Sequence, residues 1–477
     1  MGLKRQTTAF YWAWAGSTTS MLGSRTLSVA YPLLALTLNG SAVEAGWVGF
    51  AWTVPALLFY IPAGALVDRW NHRRVMLYSE AVRGCAVISV CALLAVGRLE
   101  LGHLLAVAFV EGALGVFYSL AVAALIPSLA AEGRLLPALA SSETSNHAAV
   151  LIGRPLGGFL FGIGQAIPFL VNSGLFILSI VATTRLPRTA SGTPPATDDA
   201  PTPGGMLEGF RELWQFRTLR AATAMIGLTN AVVHALIMVF VALAVSENVT
   251  PLNVGWAMAA TGVGGVLGAL GAPLSQRWAR RFLSGTWSRR PPRIKRVSML
   301  LVHTWLWVIA LLIPLVCGTA WWSFALALAV MGLAGARSNI TIRTLIALHV
   351  HPGKAARVLG VYRLVGYSTI ALGPLLGGML MNSAGPTGAV VVLLSAMLAF
   401  SLPATFWPPA RRTFFHEGPQ PPATRKGTSS ETVALKRTAE TGPGPRGASG
   451  GQPRGEEVAA TRSGEVWKQP HKPRETT

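Results

Sequence analysis

Charge is scarce in this chain. Asp, Glu, Lys and Arg make up 12% of 477 residues, against roughly 25% in ordinary soluble domains. Acids are scarcest, at 19, and the formal net charge is +21. With 51% hydrophobic residues, the composition excludes a water-soluble domain and points to a membrane protein. A basic excess raises nucleic-acid binding, but the Lys and Arg sit in short loops between apolar stretches rather than on one surface, so no nucleic-acid partner is expected. Cysteine is nearly absent: Cys85, Cys91 and Cys317 all lie in apolar segments, are too few for a disulfide framework and lack metal-ligand spacing. They read as packing residues, and no metal or cofactor is expected. No phosphate-binding P-loop occurs, which argues against direct ATP drive, and no HExxH, Ser/His or paired-Asp constellation in the apolar segments suggests an enzyme. No small-residue cleavage site follows the first apolar run, so that run is expected to be retained as a helix.

What the sequence does have is long apolar runs. A spanning helix needs about 20 mainly apolar residues, and such segments fit at 9–38, 43–66, 75–97, 103–130, 142–164 and 166–186. Six more fit at 219–246, 252–276, 297–317, 319–346, 356–382 and 385–406. The expected fold is an all-α membrane protein of twelve transmembrane helices in two six-helix bundles, 1–186 and 219–406. Between them, 187–218 reads as a cytoplasmic linker, polar at first and then carrying the amphipathic piece MLEGFRELWQF. Residues 407–477, rich in Pro, Gly, Thr and Arg, read as a disordered basic cytoplasmic tail.

Every other loop is basic, and the positive-inside rule places those loops in the cytoplasm. They hold Lys4 and Arg5; Arg69, Arg73 and Arg74; Arg134; Arg185, Arg188, Arg217 and Arg220; the run from Arg277 to Arg296; Lys354 and Arg357; and Arg411 and Arg412. Both termini are therefore expected in the cytoplasm of a multi-pass cell-membrane protein.

The two halves echo each other. LIGRPLGGFL at 151–160 and LGPLLGGMLM at 372–381 each place a glycine pair four residues after an earlier glycine, in the fifth span of their half. GALVDRWNHRR at 64–74 has a fainter copy, GAPLSQRWARR, at 271–281. Parallel repeats of six helices are one way in which transporters build two bundles around a midplane site.

The stretch at 64–74 resembles the loop motif of the major facilitator superfamily, with Gly64, Asp68, Arg69, Arg73 and Arg74 matching and Asn71 where glycine is usual. Asn tolerates positive φ better than most residues, so the substitution is compatible with a left-handed backbone there. Gly373, Pro374, Gly377 and Gly378, and the altered Gly153, Pro155, Gly157 and Gly158, resemble the superfamily's glycine-proline helix motif, which is associated with exporters. TLSVAYPLLAL, GALVDRW and IPSLAAEGRLLPALA look most like the branch holding macrolide efflux proteins and the enterobactin exporter. The resemblance covers about residues 8–406 and implies proton-driven efflux of a bulky organic molecule, such as an antibiotic or siderophore.

Small residues allow two bundles to close and part, so Gly153 with Gly157, Gly373 with Gly377, and Gly264, Gly268 and Gly271 are candidate contacts between bundles, or else ordinary tight packing. Asp68 is expected to pair across the bundles with Arg357, Arg363 or a helix terminus when the cytoplasmic side is closed.

Ionisable residues inside a bilayer cost at least a few kcal/mol each and are functional candidates by default. Glu111, alone mid-span in AFVEGALGVF, reads as a proton-coupling or cation-binding carboxylate, or as a structural partner of Arg25 or Arg154. Those two arginines are alternatively substrate contacts. Glu143 is a weaker candidate, and Glu80 with Arg83 reads as a local pair on the third helix. His234 reads as a packing histidine. Tyr11, Trp12, Trp14, Tyr31, Trp52, Phe117, Tyr118 and Trp256 are candidate aromatic walls. The first span has no acid, so proton coupling rests on the resemblance more than on the residues.

The leading reading is a monomeric secondary exporter with a small molecule, protons and the lipid bilayer as partners. An uptake transporter of the same fold and a non-transporting receptor or assembly factor on the same scaffold stay open.

Overall fold

The computed structural model describes residues 3–129, 135–186, 203–283, 293–350 and 352–406, all within one unit of the chain, Met1–Gly418. The expected tail at 407–477 and the 187–202 part of the linker lie outside the described residues. Every described element is a helix: α1 (Leu3–Asn39), α2 (Ala42–Val67), α3 (His72–Ala95), α4 (Leu101–Leu129), α5 (Leu135–Ile163), α6 (Ile167–Thr184), α7 (Pro203–Gln215), α8 (Arg217–Ser246), α9 (Pro251–Leu283), α10 (Arg293–Val316), α11 (Trp321–His349) and α12 (Pro352–Phe406). Among the described residues nine helices are long and apolar enough to cross a membrane by length and composition, and Ala148–Ile163 and Leu300–Val316 are shorter apolar stretches.

The last helix is two spans in one. α12 bends at Gly385, where φ is 69° and ψ is −179°, a backbone region that is essentially restricted to glycine. The bend separates the arms expected at 356–382 and 385–406, which brings the total to about twelve spans. Gly385→Ala is expected to cost about 1–3 kcal/mol and lower the thermal unfolding midpoint; an unchanged midpoint would show that the bend carries no such strain.

The two halves are built alike. α1 packs on α5 as α8 packs on α12, and α2 packs on α4 as α9 packs on α11. The left-handed residues that end helices also fall at matching turns, Gly40 with Asn248 and Gly97 with Gly318.

The loop at 64–74 corrects one expectation. Asn71 has φ −69° and ψ 110°, an extended backbone, and its side-chain oxygen accepts a hydrogen bond from the Arg74 amide at 3.1 Å. It is the N-cap of α3, satisfying an amide that the first turn leaves open, and positive φ plays no part. Arg73 donates from Nε to the Thr183 carbonyl at 3.2 Å and from Nη2 to the Thr184 carbonyl at 3.0 Å. It thus holds the last turn of α6, whose carbonyls lack helical partners.

The amphipathic piece forms α7, which lies against the start of α12. A Cβ on Gly209 would sit 2.7 Å from the Arg357 carbonyl oxygen. Glu208 pairs with Arg357, and Glu212 pairs with Lys354 at 3.1 Å.

Apolar packing divides the molecule into two ends. At the far face, where α1 gives way to α2, a single buried cluster runs through both halves, from Leu27–Leu36 and Ala45 to residues 232–244, Val254 and Phe324. At the near face, where α1 begins, two separate clusters form. One holds Ala9, Val67, Met76 and Leu125 of the first half, and the other holds Leu219, Ile342, Val358 and Ala404 of the second. Among the described residues, the cluster that the two bundles share lies at the far face.

Candidate functional site

Between the bundles lies a cavity of about 480 Å³, bounded by α1, α2, α3, α4, α5, α8, α9 and α12. Its α1 wall is a serine stripe, Ser17, Ser20, Ser24 and Ser28, at the three-to-four-residue spacing that puts side chains on one helix face. Tyr31, Trp52, Tyr60, Tyr118 and Tyr367 supply aromatic surface, and Glu111, Arg83, Arg25, Arg154 and His234 supply polar groups.

The polar centre is built on Arg83, a fully buried guanidinium. Its Nη1 donates to Glu80 Oε1 at 2.7 Å and to Ser20 Oγ at 3.1 Å. Its Nη2 donates to Glu111 Oε1 and to Ser24 Oγ, both at 2.5 Å. The Ser20 hydroxyl in turn donates to Glu80 at 2.8 Å and the Ser24 hydroxyl donates to Glu111 at 3.0 Å. The guanidinium carbon lies 4.3 Å from the centre of the Phe176 ring, a cation–π contact that offsets part of the lost hydration. Glycine makes this possible: a Cβ on Gly112 would collide with the Trp52 carbonyl oxygen. The resulting approach of α2 to α4 lets the Trp52 indole N–H donate to Glu111 Oε2.

The partner of Glu111 is therefore Arg83, not the Arg25 or Arg154 weighed from sequence. Arg25 lies within electrostatic range of Glu111. Arg154 reaches out of α5 into the other half, donating to the Met258 carbonyl at 2.6 Å and to Thr261 Oγ1 at 2.5 Å. The His234 ring N–H donates to the Asn230 carbonyl at 2.9 Å, as a packing histidine would, while the ring also faces the cavity. The Glu143 side chain lies outside the described residues. Of the aromatic candidates, Tyr31, Trp52 and Tyr118 line the cavity, whereas Tyr11, Trp12 and Trp256 are exposed and do not line it. Tyr60 and Tyr367, not singled out from sequence, meet across the bundle boundary with ring centres 5.1 Å apart and planes tilted by 41°.

The glycine motifs divide by target. Gly153 and Gly157 pack on α1, and Gly373 and Gly377 on α8, each within its own half. Gly264 and Gly268 pack on α11, again within one half. The contact between bundles expected of these pairs instead belongs to the last glycine of each motif. A Cβ on Gly158 would collide with the Pro251 carbonyl oxygen, and one on Gly378 with that of Ala42. Gly255 and Gly46 return the contact: their Cβ positions lie 2.5 Å from the Arg154 carbonyl oxygen and 2.7 Å from that of Pro374. Two symmetric backbone seals thus close the far face. The spacing showed that a backbone comes close but not which one.

At the near face the motif acid stands apart. Asp68 is exposed; Arg357 is held by Glu208, and Arg363 donates to the Tyr60 hydroxyl at 2.9 Å. The contact between Arg363 and Tyr60 joins α12 to α2, so side chains other than Asp68 link the bundles here.

A family model described as the Major Facilitator Superfamily matches residues 13–370. The chain is 30% identical over 400 residues to the multidrug efflux pump Tap of Mycobacterium tuberculosis (strain CDC 1551 / Oshkosh), covering 79% of this chain and 89% of that protein. It is 24% identical over 184 residues to macrolide efflux protein A of Streptococcus pyogenes, covering 38% of this chain and 45% of that protein. Its fold is similar to that of a bacterial homologue of the human lysosomal transporter Spinster, with a TM-score of 0.64 at 17% identity over 88% of this chain and 100% of that one.

Proposed function

The chain belongs to the major facilitator superfamily, and on that premise we propose that it exports a bulky organic small molecule across the cell membrane in exchange for protons. The observation that carries the coupling is the buried centre at the cavity wall, where two carboxylates share one guanidinium. Arg83 is divided between the two acids and Arg25 acts electrostatically on Glu111, so an acid left with less than a full countercharge is either a costly buried anion or a site for a proton. The efflux direction is supported by the relatives named as multidrug and macrolide efflux proteins.

The Lys and Arg distribution supports a cytoplasmic near face and cytoplasmic termini. The cavity then opens inward and takes its substrate from the cell against Trp52, Tyr60 and Tyr367. Closing the near face brings Asp68 to the start of α12, and the seals at Gly158 and Gly378 part to release substrate outside. The pathway lies within one chain, which supports a monomer as the working unit.

Glu111→Gln is expected to reduce export of a macrolide by at least tenfold, because it removes the cavity-facing carboxylate that pairs with Arg83 and leaves that buried guanidinium short of its partner. Accumulation of radiolabelled erythromycin in cells with and without the protein measures this, and export equal to the parent's would remove Glu111 from coupling. Asp68→Asn is expected to insert normally and to lower export severalfold, because closure at the near face loses a charged contact; full export by a normally expressed variant would rule that contact out.

A further inference from the structure

The two carboxylates on Arg83 are not equivalent. Glu111 has donors on both oxygens: Arg83 and Ser24 on Oε1, and the Trp52 indole on Oε2. That is the environment of an ionised carboxylate, which is acceptor-only and needs donors. Glu80 has donors on Oε1 alone, from Arg83 and Ser20. Its Oε2 is buried without a hydrogen-bond partner, and the residue is fully enclosed. A negative charge shared onto a bare, buried oxygen is far costlier than a neutral hydroxyl in the same place.

The positions differ as well. Glu111 and Arg83 line the cavity, while Glu80 sits behind Arg83 and does not. The groups facing Glu80 are Arg83 on its own helix, Ser20 on α1, Glu111 and Tyr118 on α4, and, through the Tyr118 hydroxyl, Ser179 on α6 at 3.0 Å. Arg83 is the cation among them, and it is shared with Glu111.

We infer that Glu80, rather than Glu111, carries the exchangeable proton, and that Arg83 transmits substrate binding to it. This rests on the proton-coupled reading above and refines it. With the cavity empty, Glu111 is ionised and takes much of the Arg83 charge, and Glu80 holds a proton on Oε2. A substrate that offers a cationic or hydrogen-bond-donating group to Glu111 frees Arg83 to pair fully with Glu80, whose proton then passes by way of the Ser20 hydroxyl, which bonds Glu80 and lines the cavity, to water in the cavity. When substrate leaves, Arg83 returns to Glu111 and Glu80 takes up a proton. Substrate and proton therefore oppose each other without occupying the same atom, the reciprocity that exchange requires. Glu80 acts through Arg83 and is a positioning residue with respect to substrate.

The test is infrared difference spectroscopy of the purified full-length protein in lipid nanodiscs, titrated with pH. The parent is expected to show the carbonyl stretch of a buried protonated carboxyl group. Glu80→Gln is expected to lose that band and Glu111→Gln to keep it. A band lost in Glu111→Gln and kept in Glu80→Gln would overturn the assignment while leaving proton coupling standing. No titrating buried carboxyl band in the parent would overturn the proton-coupled reading itself. If Glu80→Gln does not fold, Glu80→Asp serves: the assignment requires it to shift the band, and an unshifted band counts against it.

Discussion

Arg83→Met is expected to abolish export and to be the most destabilising single change in the spans. The side chain is similar in length and apolar, so little volume is lost. What it leaves behind are Glu80 and Glu111, both buried, deprived of the shared ion-pair donor. Removing one partner of a buried pair costs about 3–5 kcal/mol, because an uncompensated charge stays in a low-dielectric site. Here the protein has an escape, since both acids can take protons, so part of the stability is expected to return as pH falls. The measurement is the unfolding midpoint in detergent across pH together with export in cells. A variant as stable as the parent at neutral pH, with export retained, would show that the centre is not held by Arg83.

Gly158→Ala and Gly378→Ala are expected to open the far face. In each, the new Cβ meets a backbone carbonyl of the opposite bundle, at Pro251 or Ala42, with no flexible side chain to give way. Overpacking of this kind costs about 1–3 kcal/mol, and a cost borne by one conformation alone shifts a two-state population about 5–150-fold. Spin labels at Trp47 on α2 and Leu252 on α9, both exposed, are expected to move apart relative to the parent, and export is expected to fall by an order of magnitude or more. Gly153→Ala is the control for location: its Cβ lies 2.7 Å from the Arg25 Cβ, within one bundle, so it should lower stability without lengthening that distance. Unchanged label distances in the Gly158 and Gly378 variants would mean that the far face does not close through these contacts.

The spans and their pairing in two halves were legible because a bilayer imposes apolar length on every crossing segment. Gly385 shows nearly the same legibility in detail, since the sequence placed a break at 383–384, next to the residue where the backbone turns. The centre was only half legible. Glu111 stood out as a lone acid mid-span, but Arg83 sits three residues from Glu80, and that local spacing was enough to account for both of them. Nothing in spacing along α3 reports that α4 passes close enough to add a second carboxylate. The serine stripe from Ser17 to Ser28 was the available signal, because four hydroxyls on one face of an apolar helix must meet polar partners. Asn71 failed for a different reason: a motif comparison supplied a backbone explanation where a helix N-cap, visible in Asn71 ahead of α3, was sufficient.

The most direct test of the account is transport by the purified protein in proteoliposomes under an imposed pH gradient, with the interior acidic and radiolabelled erythromycin outside. Molecules inserted with the cytoplasmic face outward are predicted to accumulate the macrolide against its gradient, to stop when a protonophore collapses the pH difference, and to alkalinise the interior as drug enters. Accumulation indifferent to the pH gradient, or no accumulation beyond protein-free vesicles, would contradict it.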